Sequence, residues 1–215
     1  PSGGKKMEQN KPLVITISRQ LGSGGGYIGQ QLAKKLSMYY ADHEIITKTA
    51  EELSMLEKDL ALQEEKIESF WKTFLRYNVS APEVYIPASY NFFPTSEQLF
   101  ETESEVIKRI AGENSAVIMG RCGFDILHDH PNKVSVLLYC NIENRIKRIQ
   151  ELRHLTEEEA RKTVIQSDKD RELYINSFTK KKWMDARNFD LCIDTGKISF
   201  DACVELIIAY LQSRG

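Results

Sequence analysis

Between Ser18 and Gly29 the chain reads SRQLGSGGGYIG, five glycines in twelve residues, directly after the apolar run Leu13–Ile17. A glycine loop between a strand and a helix exposes backbone N–H groups, and the ligand that suits them is a phosphate chain. Gly24-x-Gly26-x-x-Gly29 has the spacing of the dinucleotide fingerprint, with Asp42 available as the ribose-binding acid. In that fold the first glycine follows the strand almost at once, whereas here Arg19 to Ser23 intervene. A loop of that length favours wrapping around phosphates, as a P-loop does.

A P-loop reads G-x-x-x-x-G-K-[ST]. With its second glycine on Gly24, Arg19 falls at the first glycine, Gly25 at the lysine and Gly26 at the Ser/Thr. The lysine charge and the magnesium-binding hydroxyl are therefore both missing from their usual places. Arg19 is the nearest replacement cation, and its planar fork can grip two phosphate oxygens where lysine offers a point charge. Ser18 or Ser23 is the nearest hydroxyl.

Further cations follow. Arg121 sits at the C-terminal tip of an apolar run, where open α/β sheets bind ligands. Arg145 and Arg148 are one helical turn apart and share a face, with Glu143 a possible ion-pair partner for Arg145. Arg161, Asp168 and Arg171 lie on the next helical segment. Residues 43–113 carry fourteen Asp/Glu against seven Lys/Arg, and residues 145–187 twelve Lys/Arg against eight Asp/Glu, so the second half can supply cations to an anionic ligand. Lys180–Lys182 read as solvated. His128-x-His130 reads as a turn before Pro131, and no metal-ligand spacing appears among the four cysteines; Cys140 and Cys192 are expected to be buried in strands.

The elements that must position these groups are legible as apolar runs. Residues 12–18, 116–120, 134–140 and 190–194, with 38–42 as a weaker case, are unbroken rather than alternating, which predicts strands covered on both faces of a parallel sheet. Helical patterns fill the gaps: 28–36, a long or broken helix over 43–77, 96–111, 142–152, a segment opened by a capping box at Thr156 and Glu159, and a final helix with Phe200, Val204, Ile207, Ile208 and Leu211 on one stripe. Asp42 at the start of the 43–77 segment could cap it instead of meeting a ligand. Residues 78–94 hold three prolines with Tyr85, Tyr90, Phe92 and Phe93, the composition of a ligand-covering loop.

The chain has 215 residues, 41% hydrophobic and 28% charged, as in a soluble globular protein with one α/β domain. Its net charge of −2 argues against a nucleic-acid partner. No run approaches the roughly 20 apolar residues of a membrane span, and a cytoplasmic location without membrane partners is expected. The polar residues 1–11 read as a tag or disordered N-terminus before a single domain over 12–215.

Three separated stretches, ISRQLGSGGGYIGQQLAKKL…YADHEII, VIMGRCGFDIL and SDKDRELYINSFTKKKW…FDLCIDTG, resemble the cytidylate kinase-like family, relatives of bacterial cytidylate kinase, over about residues 13–211. The resemblance implies a P-loop kinase fold: a five-stranded parallel sheet of order 2-3-1-4-5 flanked by helices. A monophosphate-binding insertion (about 43–112) and an arginine-rich lid (about 153–187) would complete it. It also implies an ATP-dependent phosphotransferase using Mg²⁺ and small-molecule nucleotide substrates. Ser18, Gly22, Ser23, Gly24, Gly25, Gly26 and Tyr27 would hold the ATP phosphates. Arg19, Arg121, Arg161 and Arg171 would act in transfer, with Asp42, Arg121, Asp168 and Asp170 near the acceptor. Cys122 stands where cytidylate kinase proper has the aspartate of a G-R-D pattern and Gln166 where it has a lid arginine, so cytidine specificity does not carry over. A nucleotide-binding protein without turnover, favoured by the missing lysine, and a dinucleotide-binding oxidoreductase are the competing readings.

Overall fold

The computed structural model describes residues 11–42, 45–50 and 97–214. Strand β1 (Val14–Arg19) leads through the glycine loop to α1 (Gly25–Leu36) and β2 (Tyr39–Ala41); residues 45–50 are helical. Helix α2 (Glu97–Glu113), β3 (Ala116–Met119), the short α3 (Gly123–Ile126) and β4 (Lys133–Tyr139) follow. Then come α4 (Ile142–Arg153), α5 (Glu157–Thr179), a 3-10 turn (Ala186–Asn188), β5 (Leu191–Asp194) and α6 (Phe200–Ser213). The rest of the 43–77 segment, residues 78–94 and residues 1–10 fall outside the described residues.

All strand pairs are parallel, in the order β2-β3-β1-β4-β5. That order has β1 in the centre with β3 and β4 on either side, so the loop after β1 opens between the tips of its two neighbours. It also removes the dinucleotide reading, whose fold places the strands as 3-2-1-4-5-6.

Parallel strands are joined by helices that cover both faces, which is why β1, β3 and β4 are continuous apolar runs. Ile15, Ile17, Val117, Met119, Val136 and Leu138 face α1 and α6 with Ile28, Leu32, Val204 and Ile207. On the other face Val14, Ala116 and Ile118 meet Val106, Ile107 and Ile110 of α2. The one buried polar pair between neighbouring strands there, Thr16 Oγ1 donating to Ser135 Oγ at 2.9 Å, is mutually satisfied.

Cys140 is buried as expected, but Cys192 is exposed. It lies on β5, the edge strand, which pairs with β4 alone. Ile193 joins the core on the α1/α6 face, while the opposite face of this edge, where Cys192 points, is open. The His128-x-His130 segment is a turn: His128 Nδ1 meets the Asp125 carbonyl at 2.8 Å and Nε2 the Asp129 carboxylate at 2.9 Å.

Candidate nucleotide-phosphate site

β1 stops where its backbone leaves β4. The Gln20 N–H still donates to Leu138 O, and its carbonyl then accepts from both Ser23 N–H (3.2 Å) and Ser23 Oγ (2.8 Å), closing a tight loop. Gly22 and Gly24 hold φ of +82° and +77°, a region that only glycine enters without strain. Space is as restrictive as torsion. A Cβ on Gly22 would lie 2.8 Å from the Arg145 carbonyl oxygen, and one on Gly24 would enter the Phe200 ring. Gly24 is the N-cap of α1, with no side-chain cap and no acidic residue in the first turn, so the positive end of the helix is left for an external anion.

The expected lysine position explains its own absence. A Cβ on Gly25 would lie 2.8 Å from Cβ and 2.7 Å from Cγ of Arg19, so the arginine stem occupies the space a side chain at 25 would need. The guanidinium continues to the tip of β3, where Nη1 lies against Gly120, itself at φ +76°. Among the described residues that guanidinium has no hydrogen-bond or ion-pair partner. The arginine thus starts on the strand before the loop, passes Gly25 and puts its charge at the tip of β3.

Two arginines of α4 clamp the loop from behind. Arg145, 4% exposed, donates to Leu21 O at 3.4 Å and forms a two-pronged ion pair with Asp168 of α5 (3.0 and 2.8 Å). Arg148 donates to Gly22 O (3.0 Å) and Thr195 O (3.0 Å), and its guanidinium lies 4.6 Å over the Phe200 ring. The shared face expected of these two residues is real. The partner of Arg145 is not Glu143: that carboxylate takes Arg161, because Arg145 points inward from its helix.

The remaining predicted residues lie as follows. Ser18 is buried at the end of β1. Tyr27, half exposed, donates to Asp201 Oδ1 at 2.9 Å and leans on Phe200. Asp42 Oδ1 accepts from Ile45 N–H at 2.9 Å, the capping role open to it in the sequence. Arg161 pairs with Glu143 and Glu157, each at 3.1 Å, and both carboxylates hold its guanidinium more firmly protonated than usual. Arg171 donates to Ser167 Oγ at 2.6 Å, and Asp170 accepts from Gln166 at 2.7 Å. Arg19, Arg145, Arg148 and Asp168 therefore gather at or behind the loop, whereas Arg161 and Asp170 are engaged on helix surfaces.

Gly120, Arg121 and Cys122 all hold positive φ, a left-handed run that turns β3 into α3. For the two non-glycine residues this is strained backbone of the kind found at functional sites. Arg121 pairs with the buried Glu103 (3.3 Å) and donates to Thr47 Oγ1 (2.9 Å). Burial pushes the Cys122 thiol well above its usual range, so it is an inert neutral group. Sequence reasoning missed Glu103, Thr47, Gly120, Thr195 and Phe200. Only Gly120, beside Arg121, carried a local signal.

A glycine loop after the first of five parallel strands in the order 2-3-1-4-5, backed by arginines, defines the fold of the P-loop kinases. The chain belongs to the cytidylate kinase-like family, whose model matches residues 14–197. An uncharacterized protein from Eubacterium ventriosum has the same fold at 25% identity and a TM-score of 0.70, with 94% of this chain and 99% of that one covered. A gluconokinase from Sinorhizobium meliloti (13% identity, TM-score 0.52, coverage 95% and 94%) and shikimate kinase from Bacteroides thetaiotaomicron (12%, 0.50, coverage 93% and 98%) share the fold. No curated protein matches the chain.

Proposed function

We propose that the protein is an ATP-dependent phosphotransferase of the cytoplasm that acts on a nucleoside monophosphate or a similarly small phosphate acceptor. The observation that carries this reading is Arg19, whose stem crosses Gly25, where a P-loop would place its lysine, and whose guanidinium reaches Gly120 with no hydrogen-bond or ion-pair partner among the described residues. Phosphoryl transfer asks a protein for alignment and positive charge more than for covalent chemistry. The backbone of Gly22 to Gly26 and the N-terminus of α1 would cradle the ATP phosphates, with Ser18, Ser23 and Tyr27 bordering them. Arg19 would meet the transferred group. Arg145 and Arg148, tied by Asp168 and Thr195, would keep the loop in shape. Arg121 and Asp42, at the tips of β3 and β2, would face the acceptor. Arg161, Asp170 and Arg171 ride on α5, the helix of the lid. A monophosphate acceptor brings its own nucleophilic oxygens at neutral pH, so no general base is needed.

Mg²⁺ supplies charge neutralisation across the phosphates when it is bound with ATP. Among the described residues no group of three or more His, Cys, Asp or Glu side chains could hold a metal. Ser18 and Asp42, near the ends of β1 and β2, would be the oxygen groups closest to a metal carried in by the nucleotide.

The test is ADP release from Mg·ATP with CMP, UMP, AMP and GMP added in turn. Turnover with at least one acceptor is expected. ATP binding with no ADP formed in any arm would contradict the proposal and favour a nucleotide-binding protein that works without turnover.

A further inference from the structure

Four segments converge on one carboxylate. Glu103 of α2 is fully buried; Thr47 Oγ1 donates to its Oε1 at 2.8 Å and the Tyr174 hydroxyl of α5 donates to its Oε2 at 3.0 Å. Arg121, after β3, places Nε 3.3 Å from Oε1 and its guanidinium 5.0 Å over the Tyr174 ring. The arginine side chain is 11% exposed, so one edge of it reaches the surface. Burial and the neighbouring carboxylate push the Tyr174 hydroxyl far above its usual range, which keeps it a hydrogen-bond donor.

This is more than an internal ion pair when Arg121 stands on the acceptor side, as the proposed function has it. An anionic acceptor and Glu103 then compete for one cation. A carboxylate carries one negative charge, whereas a phosphate monoester carries about −1.5 to −2 at neutral pH and three strong acceptor oxygens. If the guanidinium turns to the ligand, Glu103 is not stripped bare, because Thr47 and Tyr174 still donate to it. We propose that Glu103 sets the acceptor specificity of the site: it holds Arg121 as its counter-ion, so that phosphate monoesters capture the arginine while carboxylate and uncharged acceptors do not. The inference rests on the reading of Arg121 as an acceptor-side residue.

Its diagnostic is the direction of the effect. Damage to a structural residue weakens binding, but removal of a competing charge strengthens it. Calorimetric titration of CMP, UMP, AMP and GMP, each beside its uncharged nucleoside, into wild type, Glu103→Gln and Glu103→Asp reads this out. Glu103→Gln keeps the size of the side chain and one of its two acceptor oxygens, and removes its charge; the amide nitrogen then donates to one of the two hydroxyl oxygens. It is expected to bind at least one monophosphate about tenfold more tightly than wild type, the scale of a close charge pair, with nucleoside affinity unchanged. Glu103→Asp is expected to stay near wild type. Equal or weaker monophosphate binding by Glu103→Gln, or none by either protein, would overturn the inference. Should Glu103→Gln fail to fold, Arg121→Gln decides: loss of the preference for monophosphate over nucleoside supports the inference and its retention overturns it. ATP titrated into the same proteins separates the two levels. ATP binding with no gain in Glu103→Gln sinks the Glu103 inference alone, and absence of ATP binding sinks the kinase reading.

Discussion

In the proposed reading Arg19 and Gly25 exchange the parts that a P-loop gives to glycine and lysine. A long cation at 19 needs the space above 25, and a side chain at 25 would exclude it. The pair should therefore behave as a unit. Arg19→Ala is expected to weaken ATP binding about ten- to hundredfold, the loss of one charge-assisted contact of roughly 1.5–3 kcal/mol. Gly25→Ala should lower affinity as well, by displacing the arginine. The double change Arg19→Gly with Gly25→Lys should recover part of the loss, and ATP titration of the three variants checks the set. The missing lysine, and Arg19 as the nearest other cation, were legible in the spacing of SRQLGSGGGYIG. The side-chain route was not, because Gly120 lies about a hundred residues away in the chain and meets Arg19 only once β3 pairs with β1. Proximity in sequence misled for Arg145: Glu143 is two residues off, but a helix turns neighbours at that spacing to different faces, and the inward-facing arginine finds Asp168.

Helices α4 and α5 act as one support for the loop, joined by that ion pair and by the apolar contact of Leu21 with Ile146, Ile149, Ala160 and Val164. Asp168→Asn would leave the Arg145 charge buried without its counter-ion, and a destabilisation of about 3 kcal/mol is expected in urea unfolding. The capping box of α5 was readable directly: Thr156 Oγ1 accepts from the Glu159 N–H at 3.3 Å, and Glu159 Oε2 accepts from the Thr156 N–H at 2.9 Å. Thr156→Ala should cost about 1 kcal/mol by the same measurement, and no loss would contradict the cap. All five apolar runs became strands, since continuous apolarity reports burial on both faces. What that signal cannot register is the position of a strand within its sheet, and so Cys192, on an edge, is exposed.

Across the whole molecule, charge pairs at the surface set a dependence on acid. Arg187 holds the Asp185 carboxyl at about 2, below its ordinary 3.8, and the Thr156 cap lowers that of Glu159. Both folded-state values are depressed, so the folded protein binds fewer protons than the unfolded chain. Their contribution is complete above the ordinary carboxylate range and is lost as the pH falls from about 4 towards 2. Thermal midpoints by circular dichroism should therefore decline over that interval, and less so in high salt, because Glu159 and the Arg187 that pairs with Asp185 are exposed. A midpoint that rises on acidification through this range would contradict the assignment. At this scale the sheet order was implied by the family resemblance that three short motifs carry, and the glycine loop was legible in its own spacing. The Glu103 cluster was invisible there: its four residues come from segments between 47 and 174 and share no local pattern.

The most direct test of the account is a calorimetric titration of Mg·ATP into wild type and Arg19→Ala. Saturable binding by the wild type that weakens at least tenfold in the variant is predicted, on the same charge-contact scale. Equal affinity in the two proteins would show that the loop draws its charge from elsewhere, and the central role given to Arg19 would fall.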